Sequence, residues 1–191
     1  MNLIDEIESQ VTHIDEVNAV AEAYKNILDG KYVVYLSTPI TTGLESLKNP
    51  YKESVIEYNK NQAYKFEKYI QSHDKYGKQS FVQIINPAEF NIDHWTRYDY
   101  LYMWKTIIVE FVSEIIFNKN WQYSNGCCFE YLVGKTQNNI VLRELTLDNY
   151  ISDNIDNYYI RSVIDTIRSS EYGDATFINR VLGELLNENQ D

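Results

Sequence analysis

Ile115-Ile116-Phe117-Asn118-Lys119-Asn120-Trp121-Gln122-Tyr123-Ser124-Asn125-Gly126-Cys127-Cys128-Phe129-Glu130 reads as an apolar strand, a polar loop with one glycine, and a helix opening towards a glutamate. A strand that passes into a helix through such a loop is the repeating unit of an open α/β sheet, where ligands sit beyond the carboxyl ends of the strands. Backbone N–H groups at a helix start can hold an anion, and Ser124, Asn125 and Gly126 are placed to do so, with Trp121 just before them. Glu130 follows at the helix start, where the helix dipole favours a charged carboxylate by roughly 0.3–1 kcal/mol; an ionised side chain at neutral pH is expected. Such a carboxylate can act as a nucleophile or stabilise a developing cation. The same residues also fit an ordinary helix start, with Ser124 as N-cap, Gly126 as a turn residue and Glu130 as a dipole-matched acid.

The alternation extends to both sides of this stretch. Upstream, Tyr32 to Leu36 is a continuous apolar run of buried-strand type, followed by the hydroxyl-rich loop Ser37-Thr38-Pro39-Ile40-Thr41-Thr42-Gly43. Tyr51 to Gln71 carries Val55, Ile56, Ala63, Phe66 and Ile70 at helical spacing, and Phe81 to Ile85 is a second strand ending in Asn86-Pro87. Thr96 to Val112 reads as a third helix, Cys127 to Thr136 as a fourth, and Asn139 to Arg143 as a last short strand. This order predicts an α/β fold: a Rossmann/flavodoxin-like parallel sheet of about four to five strands with right-handed crossovers and helices on both faces. The loops at Thr38, Asn86 and Ser124 then converge at one sheet edge.

Helical extensions are expected on either side. Leu3 to Leu28 places apolar residues at helical spacing, with a break near Thr12 and a stop at Asp29-Gly30; from Thr146 onward the pattern reads as helical through Ile151, Ile155, Tyr159, Val163 and Ile167, then Phe177, Val181 and Leu185. The chain thus divides into residues 1–30, an α/β domain over 31–145, and residues 146–191.

Composition narrows the functional classes. A chain of 191 residues, 44% of them hydrophobic, builds one sizeable core and carries no uncharged apolar run long enough to span a membrane. The formal net charge of −11 opposes broad contact with a nucleic acid polymer, leaving a small molecule as the expected partner. Lys31, Arg97, Lys105 and Lys119 are the cations close enough to strand ends or the site helix to assist an anion. Met1-Asn2-Leu3-Ile4-Asp5-Glu6 lacks the features of a secretory signal, which points to a cytoplasmic location. Adjacent Cys127 and Cys128 read as small buried residues rather than a disulfide. His13, His73 and His94 have no ligand partner at helical spacing, so neither a metal nor another cofactor is expected. Trp95, Tyr98, Tyr102 and Trp104 fit core packing better than stacking on a base.

The ordered set Tyr35-Leu36-Ser37-Thr38-Pro39-Ile40, Ile85-Asn86-Pro87-Ala88 and Trp121-Gln122-Tyr123-Ser124-Asn125-Gly126-Cys127-Cys128-Phe129-Glu130 resembles the nucleoside 2-deoxyribosyltransferase-like superfamily. It is closest to a small branch of mostly uncharacterised phage and bacterial proteins and to the nucleoside 5′-monophosphate N-glycosidases, and covers roughly Tyr32 to Arg143. The resemblance implies that Glu130 is the nucleophile at the anomeric carbon. It sets Ser124, six residues before it, on a 5′-phosphate, where the transferases carry aspartate. It also implies assembly into a homo-oligomer. Family members have an aspartate about two dozen residues ahead of the glutamate; here that stretch reads Trp104-Lys105-Thr106-Ile107 and the nearest aspartate is Asp99. The family glycine before the proline is replaced by Thr38.

The expected activity is therefore N-glycosidic hydrolysis or (deoxy)ribosyl transfer on a nucleotide. Glu130, Asp99 and Tyr35 are the catalytic candidates, and Ser37, Thr38, Pro39, Ile40, Asn86, Trp121, Ser124, Asn125 and Gly126 the substrate-binding ones. A non-catalytic nucleotide or nucleotide-signal binding module on the same fold is the alternative, and a structural interaction protein with an aromatic surface a third reading.

Overall fold

A computed structural model describes residues 2–49, 51–155, 157–171 and 173–187. Its elements run α1 (Leu3–Ser9), α2 (Ile14–Leu28), β1 (Tyr32–Ser37), α3 (Lys52–Ser72), α4 (Asp74–Gly77), β2 (Val82–Ile85), α5 (Arg97–Phe111), β3 (Val112–Phe117), α6 (Asn125–Lys135), β4 (Val141–Leu145), β5 (Ile151–Ser152), α7 (Asn157–Ser169) and α8 (Thr176–Asn187), with short 3-10 turns at Leu44–Leu47, Pro87–Glu89 and Trp121–Tyr123. The strands form one five-stranded sheet in the order β2-β1-β3-β4-β5, in which β1 to β4 are parallel and β5 is antiparallel. That order starts from β1, steps outward to β2 and then crosses back to β3 on the other side of β1, so the order in which strands are added reverses at β1. The crevice beyond those two strands is the switch point at which such sheets bind ligands.

The pleat of β1 divides the core. Val33 and Tyr35 join a large apolar cluster with α1, α2, α5, α6, α7 and α8, whereas Val34 and Leu36 pack against Phe66 and Ile70 of α3 and Tyr76 of α4. Helices thus cover both faces, as expected for a parallel sheet buried on both sides. A register shift between Val33 and Val34 inserts one extra residue of β3, pairing Val33 with Val112 and Val34 with Glu114. Glu114 is buried on the α3 face, where Lys75 Nζ at 2.7 Å and Arg143 Nε at 2.9 Å compensate its charge and the Tyr32 and Tyr76 hydroxyls donate at 2.7 and 2.6 Å.

Two readings of the sequence are revised. The segment after Thr146 is not helical at its start: it turns through Asn149, at φ 61°, and returns as β5 beside β4 before α7 begins. Asn149 with Thr146 gives a hydrogen-bonded reversal, Thr146 N–H donating to the Tyr150 carbonyl at 2.9 Å, which a pattern of apolar spacing does not reveal. β3 starts at Val112 and β4 at Val141, so each is displaced from the predicted span. The flanking helices pack on the same core. Leu3 and Ile7 of α1, Val17 and Leu28 of α2, Val163 of α7 and Val181 of α8 belong to the same apolar cluster as Tyr35 and Phe117, and Arg180 of α8 makes a bidentate pair with Glu6 of α1. The expected break near Thr12 is present between α1 and α2. No described helix is long and apolar enough to cross a membrane.

Candidate active site

Glu130 lies on the inner face of α6, only 8% exposed, above the carboxyl ends of β1 and β3. Gly134, one turn further on, lets α6 lie close to the sheet: a Cβ there would come 2.7 Å from the Leu142 side chain and 3.0 Å from that of Ile115. Residues two apart on a strand share a face, so Tyr35 and Ser37 of β1 both point at the glutamate. The Tyr35 hydroxyl donates to Oε1 at 2.7 Å and the Ser37 hydroxyl to Oε2 at 2.5 Å. Each carboxylate oxygen therefore has one neutral donor and one lone pair left over.

Burial pushes the Glu130 carboxyl up to about 7, against the opposing pull of the Ser37 and Tyr35 hydrogen bonds. The expectation of a fully ionised glutamate at neutral pH is thus corrected: Glu130 lies beyond the first turn of α6, where the dipole fades, and desolvation dominates. No lysine, arginine or histidine pairs with it among the described ion pairs. Burial likewise drives the Tyr35 hydroxyl well above its ordinary range, reinforced by Glu130, so it stays a hydrogen-bond donor. Cys127, one turn before Glu130, is buried and its thiol is pushed up by burial and by the Glu130 charge, with hydrogen bonds from Ser124 and Ser37 acting the other way. Both cysteines are free, and neither is a thiolate near neutral pH.

The first loop closes over the start of α6. Ser124 is the N-cap, its Oγ accepting from the Cys127 N–H at 3.5 Å. The Thr42 hydroxyl donates to Ser124 Oγ at 3.3 Å and accepts from the Asn125 N–H at 3.2 Å, so it occupies part of the position an anion would take. The Gly126 N–H has no hydrogen-bond partner among the described residues. Gly43, at φ 142°, brings the loop back so tightly that a Cβ would meet Pro39 Cβ at 2.9 Å. Asn59 of α3 fixes the Ile40 carbonyl at 2.9 Å. Asn118, next to Phe117, ties β3 to β1 by donating its N–H to the Ser37 carbonyl at 2.8 Å.

Thr38, immediately after Ser37, has a buried Oγ1 with no hydrogen-bond partner. A buried hydroxyl without a partner costs roughly 1–3 kcal/mol, so Thr38→Val, which keeps the shape, is expected to stabilise the protein by about 1 kcal/mol. Thermal melting tests this; an unchanged or lower midpoint counts against an unsatisfied hydroxyl.

Other expected site residues lie elsewhere. Asp99 is at the start of α5, fully buried. Its Oδ1 accepts from the Thr12 N–H at 2.8 Å and the His13 N–H at 2.9 Å, and its Oδ2 from the Thr96 N–H and hydroxyl, each at 2.7 Å. The His13 ring Nδ1 lies 3.0 Å from Oδ2. Burial alone would raise its carboxyl, but the Thr96 and His13 hydrogen bonds outweigh this and hold it well below the usual carboxylate range. It is a capping-box residue that locks the α1–α2 turn onto α5, and the expected acid role is not supported by its surroundings. Trp121 is 1% exposed, packed at a tilt against Phe117 and Tyr131 with its indole N–H donated to Glu144 at 3.1 Å; it is core rather than a ligand surface.

Asn86 follows β2, one strand away, and its amide is committed to Glu67 at 2.9 Å and to the Ala88 N–H at 3.2 Å. It also borders a cavity of about 290 Å³ between α2 and β2, lined by Tyr24, Gln83 and Phe90 among others. Trp95 and Trp104 are buried in the main core, Trp104 packing edge-on against Tyr35 at 5.6 Å. Of the expected cations, Lys105 pairs with Glu8, Arg97 lies over the Phe177 ring, and Lys119 bonds to the Leu147 carbonyl and the Asn149 amide oxygen. No three described His, Cys, Asp or Glu side chains come together as a metal site.

Sequence reasoning gave no role to Thr42 or Asn118, while Cys127 is the small buried residue it expected. The hydroxyl-rich loop was visible, but nothing in its spacing says which hydroxyl reaches α6. No known protein-family model, functionally described protein or solved structure matches this chain.

Proposed function

We propose that the protein cleaves or transfers at the N-glycosidic bond of a nucleotide, with Glu130 as the nucleophile. The observation that carries this reading is a buried carboxylate, each oxygen held by one strand hydroxyl, at the switch point of a parallel sheet. One Glu130 oxygen bonds to the anomeric carbon as the carbon–nitrogen bond breaks; its electron pair leaves on the base, which takes a proton from water. Attack of water, or of a second base, on the anomeric carbon then breaks the ester and restores the carboxylate. A 5′-phosphate is placed at Ser124 and the Asn125 and Gly126 N–H groups, displacing the Thr42 hydroxyl. The protein works by this reading in a bacterial or phage-infected cytoplasm, as a homo-oligomer.

The attacking form is the carboxylate, so protonation removes activity. With Glu130 near 7, kcat/KM is expected to fall about tenfold per pH unit on the acid side and to level off above roughly pH 8. A pH profile of base release that is flat from pH 5 to 9, or that falls with rising pH, rules out this role for Glu130.

A second reading, a non-catalytic nucleotide-binding module, is favoured by one observation: Asp99 is fully engaged in capping, and Trp104 and Lys105 stand where the resemblance implies an aspartate. Nucleotide-dependent stabilisation in a melting assay without any turnover identifies this case.

A further inference from the structure

We propose that Ser37 is a positioning residue for Glu130, fixing one carboxylate oxygen so that the group meets its ligand in a single plane. The residue was expected to touch substrate, but it is fully buried and its hydroxyl proton is spent on Glu130 Oε2 at 2.5 Å. Tyr35 fixes the other oxygen at 2.7 Å from the same strand face. Two donors at i and i+2 on a rigid central strand, flanked on both sides by β2 and β3, define the carboxylate plane more firmly than loop donors could. One donor alone leaves the carboxylate free to turn about its last side-chain bond.

The surroundings make this contact specific. The titratable groups facing Glu130 are Tyr35 from β1 and, from α6 itself, Cys127 and Cys128. All three are neutral near pH 7, and no cation pairs with the carboxylate among the described residues. Hydroxyl donors therefore do the work that a lysine or arginine does in other buried carboxylate sites. A serine hydroxyl that served packing alone would not be aimed within 2.5 Å of a carboxylate oxygen.

The inference rests on the proposed glycosidic reaction only for its kinetic consequence; its titration can be measured without substrate. In the full-length protein carrying carbon-13 at glutamate carboxyls, the Glu130 resonance, assigned by its loss in Glu130→Gln, is followed against pH in wild type, Ser37→Ala, Ser37→Thr and Tyr35→Phe. Ser37→Ala is expected to raise the midpoint by about one pH unit, and Ser37→Thr to restore it. In kinetics, kcat/KM of Ser37→Ala should fall about tenfold at pH 6.5 and recover as pH rises, with KM little changed. Tyr35→Phe should raise the midpoint independently, which keeps the test informative if one variant does not fold.

An unmoved Glu130 midpoint in a folded Ser37→Ala protein, or an equal loss of kcat/KM at every pH, overturns the proposal. If the midpoint moves as expected while wild type releases no base from any nucleotide, Ser37 still positions Glu130 and the glycosidic reading is what fails.

Discussion

Glu130→Gln is expected to abolish base release and, at pH 8, to melt at a higher temperature than wild type. The first half follows from chemistry, since an amide cannot form the bond to the anomeric carbon; residual rates should drop by at least about a thousandfold. The second half follows from linkage. Glu130 moves from 4.5 in the unfolded chain to about 7 when buried, so the folded protein holds a proton that the unfolded chain has lost. Its favourable contribution is full below about pH 4.5 and declines as pH rises through 7, a loss on the order of 3 kcal/mol by pH 8. Glutamine mimics the protonated form and escapes that loss. The variant should therefore match wild type near pH 4.5 and exceed it by roughly 5–10 °C at pH 8 for a chain of this size. Equal melting temperatures at pH 8 would mean that Glu130 is not desolvated.

Asp99→Ala should have the opposite effect on stability. The carboxylate accepts from the backbone N–H groups of Thr12, His13 and Thr96 and from the Thr96 hydroxyl, and its loss strips those part-buried donors of their shared acceptor. A cost on the order of 3–5 kcal/mol is expected, about 10 °C in melting temperature. Because hydrogen bonding holds Asp99 far below its ordinary value, its contribution is present above about pH 4 and fades as pH falls. Wild type should lose this margin on acidification, and the variant should show a weaker acid dependence. If Asp99→Ala keeps wild-type stability while base release is lost, Asp99 belongs to the reaction after all.

The two carboxylates illustrate what could be read from the chain. Alternating apolar runs at Tyr32 to Leu36 and Ile115 to Phe117 gave the parallel sheet, because fully buried strands leave an unbroken hydrophobic signature. Tyr35 and Glu130 are separate candidates in the sequence; their hydrogen bond at 2.7 Å is a finding of the structure. Ser37 joins it because side-chain direction alternates along a strand, a rule that needed only the strand boundary at Ser37 to be drawn one residue later. Asp99 is a candidate only as the aspartate nearest to the place where the resemblance implies one, and nearness in sequence does not say whether a carboxylate faces a crevice or caps a helix start, as Asp99 does with Thr96. Glu130's ionisation was also not readable, since desolvation depends on what the fold stacks above it. Likewise β5 is two residues held by a turn at Asn149, too short for any periodicity to register.

The central claim is that Glu130 attacks a nucleotide's anomeric carbon, and the most direct measurement is chromatographic detection of free base after incubating wild type and Glu130→Gln with nucleoside monophosphates, nucleosides and NAD at pH 8. The account predicts base release from one or more nucleoside monophosphates by wild type and none by Glu130→Gln. Equal release by both proteins, or none by folded wild type from any of these compounds, would contradict it.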